Sequence, residues 1–115
     1  MDASFDISVV GPPALTADQL ATLRRRLLMK GQELAEDLAA LMAGLKPKAT
    51  DLLDARPGET KIEKTRRYLE LVDRKIEDIA AGRYGRCARC GEPIPYVRLA
   101  ELPWAEACGA CPTLP

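Results

Sequence analysis

Two C-x-x-C pairs contain all the cysteines of this 115-residue chain. Cys87 and Cys90 form the first pair, Cys108 and Cys111 form the second, and 17 residues separate the pairs. A tetrahedral ion needs four ligands that converge from two directions, and each C-x-x-C turn supplies two sulfurs to one side of it. The spacing therefore predicts a four-cysteine site that holds one Zn²⁺ ion.

Three other uses of these cysteines fit the sequence less well. Disulfides are typical of secreted proteins, and residues 1–10 lack the basic start and long apolar run of a secretory signal. A redox dithiol needs a thioredoxin-like context and leaves the second pair unexplained. A catalytic zinc keeps an open position and often uses His, which the chain lacks. We expect a structural metal, with iron as the alternative ion that elemental analysis distinguishes from zinc.

Asp51 and Asp54 form a second pair of residues whose spacing suggests chemistry. A helical turn would place both carboxylates on one side. Such a pair can bind Mg²⁺ weakly, act in acid–base catalysis, or contact a cation or metal on a partner; alternatively, Asp51 or Thr50 simply caps the turn. No partner base is visible nearby, so the sequence favours a protein that is not an enzyme.

The composition limits the class of protein. Lys plus Arg and Asp plus Glu number 17 each, so the formal net charge is zero, which argues against binding DNA mainly through its phosphates. No apolar run approaches the roughly 20 residues of a membrane span, so we expect a cytoplasmic protein without a membrane partner. Aromatic residues make up only 4% of the chain, so a metal is expected to stabilise its small core.

A first amphipathic helix is predicted from Thr16 to about Leu45, before Pro47. Thr16 and Gln19 have the spacing of a capping box. Gly31 is expected where two helices approach closely. The apolar seam repeats every seven residues, as in a coiled coil. Its members are Leu20, Leu27, Leu34 and Leu41, with Leu38 and Leu45 in the other seam position and with Leu23 and Leu28 broadening the stripe.

A second helix is predicted from Thr60 to about Ala81. Thr60 and Glu63 form another capping box, and Gly82 is a natural left-handed residue after the helix. Residues 46–60 contain two prolines and form the connection, with one helical turn after Thr50. The second seam steps alternately by three and four residues. It comprises Ile62, Thr65, Leu69, Val72, Ile76 and Ile79.

These elements predict a mainly α protein: a long antiparallel two-helix coiled coil with a small four-cysteine zinc-finger module at its base. The expected divisions are an arm at 1–15, a coiled-coil hairpin at 16–82 with its tip at about 46–60, and the finger module at 83–115. At 1.5 Å per residue the first helix would be about 43 Å long. We expect a monomer that carries its tip far from the finger.

The finger resembles that of the DksA/TraR family of bacterial transcription regulators. The family pattern, C-x2-C-x3-I-x3-R-x4-P-x4-C-x2-C, is filled by the four cysteines with Ile94, Arg98 and Pro103 in register. The Gly-Arg-Tyr-Gly run before Cys87 is similar as well, whereas Ala88 replaces the usual Asp, Glu or Ser. The resemblance covers about residues 16–111.

The resemblance implies that an acidic coiled-coil tip enters the secondary channel of RNA polymerase and modulates initiation. The family's tip motif is D-x-x-D-x-A. Asp51 and Asp54 match it, but Ala55 lies one residue early and Arg56 takes its place. The implied polymerase-contacting residues are Asp51, Asp54 and Ala55, with Asp54 acting near the polymerase active site.

Family members also bind the alarmone ppGpp of the stringent response through basic residues, whose places here are taken by Leu71 and Leu102. The sequence ends four residues after Cys111, without the C-terminal helix of full-length DksA. We therefore expect a short DksA-like protein whose alarmone dependence does not follow from the resemblance. Two alternatives stay open: a zinc ribbon that binds nucleic acid, with the helices as a dimerising arm, and a redox-sensing protein that releases zinc on oxidation. Neither the finger pattern nor the charge balance predicts sequence-specific DNA binding.

Overall fold

A computed structural model describes residues 15–108 of the chain. Over this range the structure is mainly α, as predicted, and contains no β-strand beyond one isolated antiparallel bridge between Arg86 and Pro93. No helix within residues 15–108 is both long enough and apolar enough to span a membrane. In chain order the elements are α1 at Ala17–Met42, a 3-10 helix at Thr50–Leu52, α2 at Lys61–Ala81 and α3 at Tyr96–Glu101.

The described residues form two compact units. The hairpin unit runs from Arg24 to Tyr84, and the finger unit combines the residues up to Leu23 with those from Gly85 onward. The predicted arm lies outside the described residues except for Leu15. In the finger unit, Leu15 Cδ1 is 3.4 Å from the position that a Cβ on Gly85 would occupy.

Both long helices begin with the capping boxes that the sequence predicts. At α1, Gln19 N–H donates to Thr16 Oγ1 and Thr16 N–H donates to Gln19 Oε1, each at 3.0 Å. At α2, Glu63 N–H donates to Thr60 Oγ1 at 3.1 Å and Thr60 N–H donates to Glu63 Oε1 at 2.8 Å. The reciprocal bonds satisfy backbone donors that have no partner within the helix.

Both long helices end at a glycine in the left-handed conformation. Gly82 follows α2 with φ 76°, as predicted, and Arg83 N–H donates back to the Asp78 carbonyl at 2.8 Å. Gly44 has φ 78°, and Leu45 N–H donates back to the Ala40 carbonyl at 2.8 Å. This bond pattern closes a helix, so α1 stops at Met42 and the prediction that it continues to Leu45 is wrong.

The two helices of the hairpin unit run antiparallel around an apolar seam. A Cβ on Gly31 would lie 3.5 Å from Val72 Cγ1, which confirms a close approach at this glycine. Leu27, Leu34 and Val72 are fully buried. The antiparallel direction follows because Asp37, further along α1, reaches residues that precede α2, as described below.

Two leucines are exposed instead: Leu28, which was predicted to broaden the apolar stripe, and Leu45, which was predicted to lie in the seam. Leu28 follows Leu27 directly and therefore lies about 100° away around the helix; it is 44% exposed. Leu45 lies beyond the end of α1 and is 64% exposed. The seam also contains polar residues that the repeat did not predict as buried, chief among them Asp37 and Lys64, which are 3% and 6% exposed.

Candidate functional site

The finger unit brings three of the four predicted metal ligands together. The Sγ atoms of Cys87, Cys90 and Cys108 all lie within 4.8 Å of one another, and those of Cys90 and Cys108 are 3.8 Å apart. Sulfurs bound tetrahedrally to zinc at about 2.3 Å are about 3.8 Å apart. The three sulfurs therefore suit one structural Zn²⁺ ion. Cys111 lies outside the described residues, and its place as the fourth ligand remains a prediction.

The first C-x-x-C turn favours the form of Cys87 that binds metal. Its sulfur accepts the Arg89 N–H at 3.4 Å, and its carbonyl accepts the Gly91 N–H at 2.9 Å. Backbone donation to sulfur from Cys90 and Arg89 outweighs the effect of burial and lowers the pKa of the Cys87 thiol to about 6. Because the thiolate is the metal-binding form, this turn is prepared for a cation.

Two other residues of the finger pattern, Arg98 and Ile94, contribute to the structure of the finger unit. Arg98 Nε donates to the Ala107 carbonyl at 2.7 Å, next to Cys108. Ile94 and Leu99 form the buried centre of the finger, with 3% and 0% exposure. These contacts give Ile94 and Arg98 structural roles that spacing alone does not reveal.

The unusual alanine of the finger contributes through its backbone. Ala88 N–H donates to the Glu106 carbonyl at 2.7 Å, so it ties the first cysteine turn to the segment that leads to the second. The bond does not depend on the side chain at position 88. The departure from the family pattern therefore leaves this tie intact.

The loop between the helices presents acidic and apolar side chains to solvent. We call residues 48–60 the tip loop. Asp51, Leu52, Asp54 and Ala55 are all exposed. Asp51 Oδ1 lies 3.2 Å from Lys61 Nζ in an exposed ion pair. No residue within 15–108 donates a hydrogen bond to the Asp54 carboxylate or pairs with it.

The two aspartates do not share one helical turn. The 3-10 helix contains Asp51 and ends at Leu52, and Leu53 is extended with φ −100° and ψ 148°. Asp54 therefore follows an extended residue. No side chain of the loop caps the 3-10 helix, so the alternative in which Asp51 or Thr50 acts as its cap does not hold.

The cap of the 3-10 helix comes instead from α1. Asp37 is buried, and its Oδ1 accepts the Lys48 N–H at 2.8 Å. Its Oδ2 accepts the N–H groups of Ala49 and Thr50, each at 2.7 Å. Burial opposes ionisation of this carboxyl, but the three backbone donors outweigh it and lower the pKa of Asp37. One carboxylate thus sets the start of the tip loop.

A chain of hydroxyl groups joins the same turn to α2. Thr65 Oγ1 donates to the Lys61 carbonyl at 2.7 Å and lies 2.9 Å from Thr50 Oγ1. The buried hydroxyl groups of Thr50 and Thr65 therefore link the 3-10 helix to the first turn of α2. Lys64 Nζ donates to the Leu53 carbonyl at 3.0 Å, which holds the next residue of the loop.

A third anchor holds Asp54 by its backbone. Arg67 Nη2 and Tyr68 Oη donate to the Asp54 carbonyl at 3.1 and 3.2 Å. Arg67 also forms two bonds to the Glu59 carboxylate, at 2.7 and 2.9 Å, and lies 4.7 Å from the centre of the Tyr68 ring. The Arg67 bonds lower the pKa of Glu59 to about 2.

These anchoring residues were not identified from the sequence. Asp37 offered a signal, since it lies three residues after Leu34 and is a charged residue on the apolar face of α1. Thr65 was placed in the seam, but its partner was not. Arg67 and Tyr68 carry no comparable pattern, because their partners are 8 to 14 residues away in a loop without regular structure.

The leucines at the expected alarmone positions lie in different surroundings. Leu71 is buried in the hairpin unit, with 8% exposure, and Leu102 in the finger unit is 41% exposed. Neither side chain carries a charge for a phosphate.

Comparison with known proteins identifies the finger directly. Residues 82–111 match the prokaryotic dksA/traR C4-type zinc finger. An uncharacterized protein of Aquifex aeolicus is 46% identical over 43 residues, which are 37% of this chain and 30% of that protein. General stress protein 16O of Bacillus subtilis is 31% identical over 107 residues, covering 81% of this chain and 66% of that protein. The chain thus spans less than two thirds of either relative.

Two solved structures extend the similarity to the helices. One is the RNA polymerase binding protein and transcriptional regulator Dks of Chlamydia trachomatis, with a TM-score of 0.54 at 26% identity, covering 82% of this chain and 83% of that one. The other is the transcription factor DksA2 of Pseudomonas aeruginosa, with a TM-score of 0.63 at 26% identity and coverage of 82% and 80%. The chain thus carries a zinc finger of the DksA/TraR type and is similar in fold to two DksA structures.

Proposed function

We propose that this protein is a non-enzymatic transcription regulator that binds RNA polymerase and places the tip loop in the channel that leads to the polymerase active site. Its relatives support the partner, since one similar solved structure is by name an RNA polymerase binding protein and transcriptional regulator. The observation that carries the proposal is the state of Asp54, whose carbonyl is held by Arg67 and Tyr68 while its carboxylate is exposed and unpaired within the described residues.

This arrangement suits a carboxylate that acts on a partner. An anion held on a fixed backbone can contact a cationic side chain or a bound metal ion without first ordering its loop, which lowers the entropic cost of binding. Asp54 would then change the electrostatics near the catalytic region of polymerase and alter the lifetime of promoter complexes. Asp51, already paired with Lys61, would contribute a weaker contact.

The zinc has a structural role in this proposal. Cys87, Cys90, Cys108 and Cys111 would hold it with four thiolates, which leaves no open position for a substrate. The metal would hold the two cysteine turns together and stabilise the small finger core. The cysteines would therefore affect transcription only through folding.

Transcription by purified polymerase from a ribosomal promoter tests the proposal, with Asp54→Asn as the informative variant. The asparagine side chain would keep the shape and the backbone bonds of the loop but lose the charge. We expect Asp54→Asn to bind polymerase as the wild type does and to have no effect on transcription. Asp73→Asn, at an exposed position on α2, is the matched control that removes a carboxylate elsewhere and should retain full activity.

Two results would contradict the proposal. Full activity of Asp54→Asn would exclude its carboxylate as the acting group. A wild-type protein that neither binds polymerase nor alters transcription, but binds random duplex DNA tightly with steep salt dependence, would favour the nucleic-acid alternative. Adding ppGpp to the same assay tests the alarmone, and we expect no change because Leu71 and Leu102 offer no charge to its phosphates.

A further inference from the structure

One large apolar side chain stands out on the tip loop. Leu52 is 86% exposed, which makes it the most exposed large apolar side chain within residues 15–108. A single exposed leucine is ordinary on a protein surface. Its position is unusual, because in the sequence it lies between two exposed aspartates, Asp51 and Asp54. The turn that carries it is also held by hydrogen bonds with residues before and after it.

The loop cannot bury Leu52 without losing its anchors. Leu52 N–H donates to the Ala49 carbonyl and Leu53 N–H donates to the Thr50 carbonyl, each at 3.1 Å. Thr50 is fully buried and bonded to Asp37 and Thr65. Turning Leu52 inward would require this turn to rotate and would break those bonds. The backbone that carries Leu52 is thus held in place, and its isobutyl group is exposed to water.

An apolar side chain ringed by polar groups is the usual arrangement of an energetic anchor in a protein interface. The acidic neighbours of Leu52 limit what can cover it. A partner surface that buries Leu52 must also accept two carboxylates, so it should combine an apolar recess with cationic side chains or a metal ion at its rim. A purely apolar surface, such as a lipid core, would have to desolvate both charges.

We propose that Leu52 is the apolar anchor of the tip, which enters a recess of RNA polymerase that is apolar at its floor and cationic at its rim. This inference rests on the proposed function and divides the work of the tip into two parts. Leu52 supplies affinity by burial, whereas Asp54 supplies the effect on transcription. The two roles predict different phenotypes for the two residues.

The expected loss of affinity follows from the area that Leu52 would bury. Complete burial of a leucine side chain corresponds to roughly a 10- to 140-fold change in Kd. Leu52→Ala should therefore weaken binding about tenfold or more. Leu52→Met keeps the apolar volume and should bind within about threefold of the wild type. Neither change should lower the Tm of the free protein, because the side chain is exposed and supports no core contact.

The test measures the Kd for purified polymerase core enzyme by competition with a fluorescently labelled wild-type protein. Leu52→Ala and Leu52→Met are compared with Asp54→Asn and with Val97→Ala. Val97 is a matched apolar control, since it is 73% exposed and lies in the finger unit. Because the lost contact is apolar, the ratio of the Leu52→Ala and wild-type Kd values should stay nearly constant as salt is raised.

Each outcome decides the inference. Weaker binding by Leu52→Ala, with normal binding by Leu52→Met and Val97→Ala, supports it. If Leu52→Ala binds polymerase as tightly as the wild type, and the wild type regulates transcription, then Leu52 is not the apolar anchor and the proposed function is unaffected. An equal loss for Leu52→Ala and Val97→Ala overturns the assignment to position 52. Absence of wild-type binding overturns the proposed function and the anchor together.

Discussion

Replacing Asp37 by Asn should destabilise the protein more than any other exchange of one carboxylate for an amide in the hairpin unit. The Asp37 carboxylate accepts three backbone N–H groups at 2.7 to 2.8 Å, from Lys48, Ala49 and Thr50. An Asn side chain has the same shape but only one oxygen. Whichever way the amide turns, its NH2 group faces at least one N–H donor.

The cost can be worked from these bonds. In the better orientation the oxygen faces Ala49 and Thr50, and the Lys48 N–H loses its acceptor, which costs about 1–3 kcal/mol. The two remaining bonds lose their charged acceptor and weaken by about 1 kcal/mol each, since bonds to charged groups contribute about twice as much as neutral ones. We expect Asp37→Asn to lower the free energy of unfolding by about 3–5 kcal/mol, a large share of the roughly 5–15 kcal/mol typical of domains.

Urea unfolding followed by the helical circular dichroism signal measures this loss at neutral pH with saturating zinc. Asp73→Asn is the control, because it removes an exposed carboxylate from α2 and should change stability by less than about 0.5 kcal/mol. The pKa of Asp37 is lowered from its ordinary 3.8 in the folded protein. Its ionisation therefore contributes stability above pH 3.8 that is lost as the pH falls through the lower folded value.

The wild type and Asp37→Asn should accordingly approach each other in stability as the pH is lowered below about 4. Zinc loss in acid affects both proteins and cancels from the difference. A loss of less than about 0.5 kcal/mol at neutral pH would refute the assignment of Asp37 as the cap of the tip loop. A large loss that stays constant as the pH falls would show that the number of acceptor oxygens on the side chain, and not its charge, is what matters.

Three further predictions concern separate parts of the structure. Glu59→Gln should make the free energy of unfolding fall less steeply as the pH is lowered from 4.5 to about 2. The reason is that the Arg67 bonds that lower the pKa of Glu59 stabilise the fold only while Glu59 is ionised. The same acid unfolding curve for the variant and the wild type would contradict this. Gly44→Ala should cost about 1–2 kcal/mol in urea unfolding, since φ is 78° and a Cβ there would meet no atom within 4 Å, so backbone conformation alone is penalised. Cys90→Ala should reduce zinc from one ion per chain in elemental analysis and unfold the finger; full zinc retention would exclude Cys90 as a ligand.

The helices could be predicted because their signals are local. The capping boxes at Thr16 and Thr60 join residues three apart, and the seam repeats within one or two turns. The end of α1 was misplaced because Gly44, which precedes Leu45 in the repeat, stops the helix through its own backbone conformation. A seven-residue period cannot detect such a stop, and it cannot tell that the side chain of Leu28 turns away from the seam.

The metal cluster could be predicted from the sequence, whereas the contacts that support the tip loop could not. Cysteine spacing alone predicted the convergence of the Cys87, Cys90 and Cys108 sulfurs, since only a few arrangements of two short turns satisfy one ion. The support of the tip loop could not be predicted in this way. The bond that Thr50 N–H donates to Asp37 and the bond that Tyr68 Oη donates to the Asp54 carbonyl depend on the path of an irregular loop, because their partners are 13 and 14 positions apart. Many loop paths are compatible with the same local sequence.

The backbone bond at position 54 has a consequence for how such a protein can diverge. Arg67 and Tyr68 donate to the carbonyl of Asp54 and not to its side chain, so these two bonds do not depend on which side chain is encoded there. Under the proposed function, mutation at this codon would change the group that acts on polymerase and leave the backbone bonds that support the loop unchanged. Duplicated genes for such a protein would then diverge in their effect on transcription through one nucleotide change, and a designer would exchange the side chain at position 54 without redesigning the contacts of the loop.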